Sequence, residues 1–275
     1  YMSSKNFAVK VQKIKDMVYI REISILRYLN HINIIKPEGY IFDKKSNDVH
    51  FAMKKAEFSL DVAINNGLSM DMVILISYQM LKAVEYLESN NIIHRDIKPA
   101  NILIYGNEVK LCDFGLSKYF VSGEKSYMIH TGNVQTLWYR APEVAKKQKY
   151  GFKADVWSVG VIILEMIAND KFFGKRYGFM NKCIKRSPSN SYLYERKDET
   201  NFVLEWFGYL LGREGVDEIE WINDEEKKFI REKSKLCKLC DCVDHPIVDL
   251  ALKLLRWSPE KRMSASEGLN HKCFD

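Results

Sequence analysis

Long apolar runs are missing from this sequence of 275 residues. No stretch approaches the roughly 20 consecutive apolar residues that a membrane-crossing helix needs, so we expect no membrane partner. No signal peptide is visible, although the sequence begins with Tyr1 rather than with methionine. Internal repeats and low-complexity tracts are absent as well. These absences make a globular chain the first expectation.

An excess of one charge sign is also missing. The chain has 42 basic and 36 acidic side chains, which gives a net charge of +6. Such a small surplus argues weakly for acidic partners, and we do not expect nucleic-acid binding. Apolar residues make up 47% of the chain and charged residues 28%, which is typical of soluble globular proteins. The length is compatible with one domain or with two lobes.

Two polar motifs carry the chemistry: HRDIKPAN at His94–Asn101 and DFG at Asp113–Gly115. Within twenty residues they bring together two carboxylates, one amide and one ammonium. A hydroxyl that attacks a γ-phosphoryl group needs an acid to accept its proton, oxygen ligands for Mg²⁺ and a nearby positive charge. The alternative is a loop of solvated polar residues between two strands. Because both motifs rarely arise together by chance, we favour phosphate chemistry.

Each of these roles has a candidate side chain. Asp96 would orient the attacking hydroxyl and accept its proton. Asn101 and Asp113 would coordinate Mg²⁺, which prefers oxygen ligands. Lys98 would offset the negative charge on the transferring phosphate. These four residues form the predicted catalytic and metal site.

The motifs resemble those of eukaryotic protein kinases, and the resemblance extends from Phe7 to Phe274. Further motifs carry it along the chain: FAVK ending in Lys10, REISILRYLNHINII containing Glu22, APE at Ala141–Glu143, DVWSVG at Asp155–Gly160 and SPEKRMSA containing Arg262. The resemblance implies an α+β, bilobal fold with ATP and Mg²⁺ as cofactors. A small, mostly β N-lobe would occupy residues 1–56, and a larger helical C-lobe would occupy residues 57–275.

Two ion pairs are implied by the resemblance. Lys10 would contact the α- and β-phosphates of ATP, and Glu22 would hold it in place. Glu143 would pair with Arg262 near the end of the chain. These pairs are expectations from the family pattern rather than from spacing.

The resemblance also implies an adenine site. Met53 would be the gatekeeper at the end of a strand, and Lys54–Ala56 would form the hinge that binds adenine through main-chain groups. Leu103 would form the apolar floor beneath the adenine, and Asp113 would reach the phosphates through the metal. An ordinary strand-to-loop transition after Met53 is the alternative.

A finer group assignment comes from two segments. TLWYRAPE at Thr136–Glu143 resembles the CMGC group, in which Thr136 and Arg140 would help to form a pocket for proline after the target residue. IREIS at Ile20–Ser24 is most similar to the cyclin-dependent kinases of that group. Lys98 indicates Ser or Thr rather than Tyr substrates. The implied partners are protein substrates with Ser/Thr-Pro sites and a cyclin-like or other activating subunit.

Regulation would centre on the activation segment, residues 113–143. Thr131 lies where the group is phosphorylated for activation, and a phosphate there would need cationic partners. The family pattern assigns that role to Arg21, Arg95 and Lys118. The alternative is an unmodified loop threonine, and Ser126 and Tyr127 are weaker candidates for modification.

Two departures from the family pattern weaken the enzyme hypothesis. Tyr1–Asn6 contains no glycine, although a glycine-rich loop normally precedes the strand lysine and covers the phosphates. A trimmed N-terminus and a true loss of this loop both explain the pattern. Lys10 and Glu22 are also unusually close in sequence, which would leave Asp16–Tyr19 as the connecting turn and weakens the inference of a cyclin partner. A pseudokinase or scaffold is therefore the competing hypothesis.

A basic stretch and a cysteine-rich stretch lie outside the motifs described above. Residues 175–197 are rich in lysine and arginine, and they form either a solvated loop or a docking surface for an acidic partner. The six cysteines are unevenly spaced, and since a kinase works in a reducing cytoplasmic or nuclear compartment, free thiols are expected. Cys237 and Cys240 have the C-x-x-C spacing of a zinc site, to which Cys242 or His245 could add ligands. A second pair is not evident apart from the distant His271 and Cys273, so free thiols that pack into the C-lobe are the alternative.

Apolar spacing predicts the main elements. Strands are predicted at Phe7–Val11, Tyr40–Phe42 and Val49–Met53. Helices are predicted at Tyr19–Leu29, Met70–Ser89, Val156–Ile167, Leu204–Leu211, Glu225–Leu236 and Ile247–Trp257. The segment Val161–Ile167 taken alone is also compatible with a strand.

Overall fold

The computed structural model of the chain describes residues 2–3, 6–13, 17–120, 137–167, 208, 211, 215–233 and 245–275. A small β-sheet region comes first and a mainly helical region follows, which confirms the predicted α+β class. Among these residues, no helix combines the length and the apolar character needed to cross a membrane.

The N-terminal sheet has four antiparallel strands in the order β1-β2-β4-β3. Their bounds are Met2–Ser3 for β1, Phe7–Lys13 for β2, Pro37–Asp43 for β3 and Asp48–Lys54 for β4. Strand β4 lies inside the sheet and buries Val49, Phe51 and Met53, the alternation expected when one face is covered. Opposite Phe51 in the register stands Lys10, which places this lysine on the covered face. The three predicted strands are therefore confirmed, each extended by one to three residues at its ends.

Helix α1, Met17–Tyr28, connects β2 to β3. It buries Ile25 and Leu26 and packs against the segment Phe114–Leu116. The predicted turn at Asp16–Tyr19 is wrong for residues 17–19, which are already helical. Because α1 begins at Met17, Glu22 lies in the second turn of the helix. Its main chain is therefore held by hydrogen bonds to the first turn.

The C-terminal region contains two small sheets and seven further helices among the residues that the structure describes. The strands are β5 Phe58–Ser59, β6 Ile92–Ile93, β7 Ile102–Tyr105, β8 Glu108–Leu111 and β9 Lys118–Tyr119, in the orders β5-β7-β8 and β6-β9. The helices are α2 Leu60–Asn66, α3 Met70–Ser89, α4 Pro142–Ala145 and α5 Lys153–Ile167, followed by Asp224–Lys233, Pro246–Leu254 and Ala265–Leu269.

Helix α5 is the centre of this region. It is apolar on all sides and buried on all sides, so the alternative strand at Val161–Ile167 is excluded. Gly160 allows the close approach of the helix Pro246–Leu254, because a Cβ there would lie 2.8 Å from the Leu255 side chain. The predicted helix α3 is confirmed at both ends, and Ser69 caps it by accepting the Met72 main-chain N–H.

Two predicted helix ends need correction. The helix predicted to reach Trp257 ends at Leu254, because Leu255 leaves the helical region and the Arg256 carbonyl turns to accept from the Arg262 guanidinium. The helix predicted at Glu225–Leu236 is found at Asp224–Lys233, and residues 234–236 lie outside the described residues. Of the predicted helix Leu204–Leu211, only residues 208 and 211 are described.

Candidate active site

The HRD loop leaves β6 and is held from below by helix α5. The Asp155 carboxylate accepts the main-chain N–H groups of His94 at 2.6 Å and Arg95 at 2.9 Å. Arg95 has a φ of 69°, a left-handed conformation that is costly for a side chain with Cβ. Burial raises the pKa of Asp155 to about 6, against the opposing effect of these hydrogen bonds. Asp155 thus offsets the strain in the main chain that leads into Asp96.

Three predicted catalytic side chains meet at Asp96. Its Oδ2 lies 2.7 Å from Lys98 Nζ and 3.1 Å from Asn101 Nδ2. Asn101 Nδ2 also donates to the Asp96 carbonyl at 2.8 Å. Charge-assisted bonds of this kind keep a carboxylate in one orientation.

Lys10 bridges two parts of the chain that are far apart in sequence. Its ammonium lies 2.7 Å from both Glu22 oxygens and 2.8 Å from Asp113 Oδ1. Burial lowers the pKa of Lys10, but the Glu22 and Asp113 carboxylates outweigh this effect, so the pKa is raised overall. Lys10 therefore carries its charge at neutral pH. The predicted Lys10–Glu22 ion pair is confirmed.

Asp113 is held in an uncommon conformation and stays ionised. Its φ is 66°, and its side chain remains 41% exposed. Burial alone would raise the pKa of Asp113, but the hydrogen bond and the charge of Lys10 outweigh it and lower the pKa. The result is a carboxylate that is anchored on one oxygen and accessible to solvent.

His94 connects the HRD and DFG motifs. Its Nδ1 accepts the Asp96 main-chain N–H at 3.2 Å, so Nε2 carries the proton and donates to the Cys112 carbonyl at 3.0 Å. Its ring meets the Phe114 ring edge to face at 4.8 Å. Burial lowers the pKa of His94 to about 4, so the ring is neutral at physiological pH.

Asn101 and Asp113 fit a magnesium ion by their chemistry. Since Asn101 Nδ2 is directed at Asp96, its carbonyl oxygen points the other way and can serve as a ligand. The Asp113 carboxylate is ionised and partly exposed. Elsewhere among the described residues, no group of three or more His, Cys, Asp or Glu side chains could hold a metal ion. One or two protein ligands suit Mg²⁺, which usually keeps waters and substrate phosphates as its other ligands.

The predicted hinge follows β4. Met53 is buried and pairs with Ala8 across the sheet. The Lys54 carbonyl accepts from the Tyr105 hydroxyl at 2.8 Å, and the Lys55 N–H donates to the Asn6 carbonyl at 3.0 Å.

Two other predicted members of the adenine site lie nearby. Leu103 is half-buried on β7, and its backbone pairs with Ser59 just after the hinge. Ala56, the third hinge residue, makes no hydrogen bond among the described residues.

Two of the predicted phosphate-binding residues contact the last residue of the DFG motif and the residue after it. Arg95 Nε donates to the Leu116 carbonyl at 2.6 Å, and Arg21 donates to the Gly115 carbonyl at 3.5 Å. Lys118 is exposed on β9 nearby.

Several predicted positions lie outside the described residues. They are Thr131 and Thr136 of the activation segment, the weaker candidates Ser126 and Tyr127, the basic stretch 175–197 and the cysteines Cys237–Cys242. Arg140 is described and half-buried, one residue before the APE motif. The two described cysteines, Cys112 and Cys273, are free thiols.

The predicted Glu143–Arg262 ion pair is confirmed and fully buried. The two groups form a bidentate pair with N–O distances of 2.7 and 3.0 Å. Arg262 also donates to the carbonyls of Lys153 and Arg256, and its guanidinium lies 5.0 Å from the Trp157 ring centroid. Every side of this cation is therefore occupied by protein.

Sequence reasoning missed one contact at the end of the activation segment. The Tyr139 hydroxyl donates to Glu165 Oε2 at 2.8 Å, and Ser158 Oγ donates to the Tyr139 carbonyl at 2.8 Å. Burial raises the pKa of Glu165 to about 7. The sequence does contain a signal for this contact. Glu165 is the single acid in the apolar run Val156–Ile167 of α5, and a buried carboxylate needs a hydrogen-bond donor.

The profile of the protein kinase domain matches residues 2–274, and the chain belongs to that family. The "Mitogen-activated protein kinase 6" of Arabidopsis thaliana is 31% identical over 265 residues, which cover 92% of this chain and 60% of the relative. The "Mitogen-activated protein kinase HOG1" of Candida albicans is 32% identical over 93% of this chain and 63% of the relative.

A "Mitogen-activated protein kinase" of Fusarium vanettenii is 34% identical over 93% of this chain and 69% of its own length. The chain spans less than two thirds of the length of the first two relatives. These similarities support the predicted CMGC group. They are to mitogen-activated rather than cyclin-dependent kinases, and the finer resemblance to the latter stays a prediction.

Proposed function

We propose that this chain transfers the γ-phosphate of ATP to Ser or Thr hydroxyl groups of proteins. The observation that carries the proposal is the Lys10 bridge, which joins Glu22 of α1 to Asp113 of the DFG motif. Residues 103 positions apart in sequence meet there, beside an Asp96 carboxylate already oriented by two donors.

In this reaction Asp96 would accept the hydrogen bond of the attacking hydroxyl and then its proton. Its hydrogen bonds to Lys98 and Asn101 fix the orientation of the carboxylate through the Oδ2 atom. Lys98, whose ammonium lies 2.7 Å from Asp96, would stabilise negative charge as it develops on the phosphoryl oxygens. Lys10 would bind the α- and β-phosphates without leaving Glu22.

A magnesium ion bound by Asp113 and Asn101 would neutralise phosphate charge when present. The role of the protein is to present two oxygens whose orientation is already set. Asp113 would exchange part of its contact with Lys10 for the metal. Asn101 would keep its two bonds to Asp96 while its carbonyl oxygen binds.

Adenine would lie between the lobes, against Met53 and the hinge Lys54–Ala56. Since the Lys54 carbonyl and Lys55 N–H already have protein partners, Ala56 is the hinge residue best able to bind the base. Leu103 would close the site from below. Residues 1–56 and 57–275 would be the two lobes.

Regulation and specificity follow the family pattern in this proposal. Phosphorylation of Thr131 would bring its phosphate to Arg21, Arg95 and Lys118. Thr136 and Arg140 would favour proline after the target residue. The relatives' printed names, mitogen-activated protein kinases, support protein substrates. An activating subunit, cyclin-like or other, and a cytoplasmic or nuclear location are parts of the proposal that rest on the family resemblance alone.

A scaffold that binds partners without catalysis is the second candidate. Its support is the short spacing of 12 positions between Lys10 and Glu22, which departs from the family pattern. A scaffold would not require the aligned Asp96, Lys98 and Asn101 side chains.

Transfer of radiolabelled phosphate from Mg·ATP to a peptide with a Ser-Pro site separates the two. We expect labelling by the unaltered chain and none by Asp113→Asn, with Asp71→Asn on the exposed face of α3 as the matched control. Labelling by Asp113→Asn at the unaltered rate would overturn the role of Asp113. ATP binding without any transfer would favour the scaffold.

A further inference from the structure

A second cleft lies behind the hinge, away from the catalytic residues. Its volume is about 400 Å³, within the range of ligand sites. We call it the rear cleft and define it by Ile32, Lys36, Glu38, Lys54, Tyr105 and Lys110. The residues that line the rear cleft do not include the candidate catalytic residues Lys10, Glu22, Asp96, Asn101 and Asp113.

The rear cleft has a rigid frame. The loop between α1 and β3 is joined to β8, because Ile35 N–H donates to the Leu111 carbonyl and Leu111 N–H to the Asn33 carbonyl, both at 2.9 Å. Asn33 Nδ2 adds a bond to the Val109 carbonyl at 2.9 Å. On the other side, the Tyr105 hydroxyl is bonded to the Lys54 carbonyl. The walls are therefore preformed.

Ammonium groups surround the Tyr105 ring. Lys54 Nζ and Lys110 Nζ each lie 6.0 Å from its centroid. The ring contact is the only one that the Lys54 ammonium makes within the described part of the chain. Burial raises the pKa of Tyr105 to about 12, so the phenol adds no negative charge. Lys36 contributes a third cation, which donates to Asn30 Oδ1 at 3.0 Å.

Acidic groups compensate these cations only in part. Glu108 lies 3.4 Å from Lys110, which also donates to the Ile32 carbonyl at 2.5 Å. Glu38 is the other carboxylate of the lining. Lys36 and Lys54 thus face a single free acid, and the cleft keeps a positive surplus.

An apolar contact lies at the rim. Ile32 is 60% exposed and directly precedes the buried Asn33. Together with the Tyr105 ring it offers apolar surface beside the cations. The matching ligand would carry negative charges next to aliphatic groups.

We propose that the rear cleft binds an acidic peptide segment of a partner or substrate protein. Carboxylates of the segment would pair with Lys36 and Lys54, and an aliphatic side chain would cover Ile32. Charge complementarity of this kind raises the association rate and selects the partner. The proposal goes beyond phosphate transfer and needs no bound nucleotide.

Fluorescence anisotropy with a labelled hexaglutamate peptide, without ATP, tests the site. The double variant Lys36→Glu/Lys54→Glu should weaken binding by about tenfold or more. The control Lys44→Glu/Lys45→Glu makes the same change of charge in the exposed β3–β4 turn and should leave affinity within about twofold. Equal losses of peptide affinity in both double variants would mean that only the net charge of the protein matters, which would overturn the proposal.

Lysine footprinting on the unaltered chain provides a test that needs no variant. With the peptide bound, an amine-reactive reagent should modify Lys36, Lys54 and Lys110 more slowly, while Lys44 and Lys45 react at their original rates. Protection spread evenly over all five lysines contradicts the site. Displacement of the peptide by inorganic phosphate at equal concentration would identify a phosphate site instead and overturn the peptide assignment.

Discussion

Two ion-pair clusters of this chain use similar side chains in opposite ways. Glu143 and Arg262 are both almost fully buried, in a bidentate pair with protein on every side. Lys10 and Glu22 are also mostly buried, but their third member, Asp113, keeps 41% of its side chain exposed. The first cluster has no place for a ligand, and the second has one charged oxygen left for an incoming group.

The difference shows how one type of contact serves two purposes. A buried pair with every hydrogen bond satisfied fixes the relative position of two distant segments. A pair that is left open at one end can exchange a partner without leaving a buried charge alone. The closed cluster is therefore expected to respond mainly in stability, and the open cluster mainly in activity.

The largest effect is expected from breaking the closed cluster. Arg262→Met leaves Glu143 as a buried carboxylate without its cation, and the free energy of unfolding should fall by about 3–5 kcal/mol. Urea denaturation measures this fall. The control Arg231→Met removes an exposed ion pair with Asp217 and should cost less than about 1 kcal/mol. A similar small loss for Arg262→Met would contradict the comparison.

Breaking the open cluster should lower activity more than stability. Lys10→Met removes the contact with phosphates and should lower the rate of phosphate transfer by about 10²–10³-fold, or roughly 3–4 kcal/mol of barrier. Stability should fall less than for Arg262→Met, because water can solvate Asp113 and Gln12 still donates to Glu22. Lys13→Met, an exposed lysine of the same strand, is the control. Comparing transfer rates and melting curves of both variants tests this prediction.

A third carboxylate, Glu165, sharpens the comparison because its partner among the described residues is the Tyr139 hydroxyl rather than a cation. Burial raises the pKa of Glu165 to about 7 from 4.5, so the folded state binds a proton more tightly than the unfolded state between these values. Stability from this group is fully present below pH 4.5 and falls as pH rises to 7, by on the order of 2–3 kcal/mol.

Glu165→Gln keeps an acceptor for the Tyr139 hydroxyl and removes the titration. The unfolding free energy of this variant should lose that part of the pH dependence, and the difference from the unaltered chain should grow between pH 4.5 and 7. Parallel stability curves of the two proteins would show that Glu165 titrates normally.

The smallest effect is expected within the open cluster itself. Gln12 Nε2 donates to Glu22 Oε2 at 2.8 Å, beside the Lys10 ammonium. Gln12→Ala should lower the rate of phosphate transfer by a few-fold, since one hydrogen bond to a carboxylate contributes about 1 kcal/mol. Steady-state kinetics measure this. A loss as large as that of Lys10→Met would mean that Gln12, rather than Lys10, positions Glu22.

Local elements were the most predictable part of the fold. Helix α3 was predicted at Met70–Ser89 and found there, because its apolar period and its Ser69 cap are both local signals. The start of α1 was placed two residues too late, since Met17 and Val18 lie before the first regular apolar repeat. The C-terminal end after Leu254 depends on a contact with Arg262, which no local pattern contains.

The candidate site was predicted from motifs, but its supports were not. Asp96, Asn101 and Asp113 are readable because their residue types and spacing suit phosphate chemistry. Asp155 lies 61 residues from the His94 N–H that it accepts, and its role depends on α5 packing beneath the HRD loop. The rear cleft was not predicted at all, since its walls come from three segments that meet only in the fold.

The sequence by itself determined the family, the periodic elements and the residues with chemical roles, because each is written in neighbouring positions. Only the tertiary structure decided which charged side chains are enclosed by protein on every side and which remain accessible to a ligand. Burial and hydrogen-bond satisfaction depend on residues far apart in the chain, and these two quantities separate Arg262, which is locked in the core, from Lys10, which can still receive a phosphate.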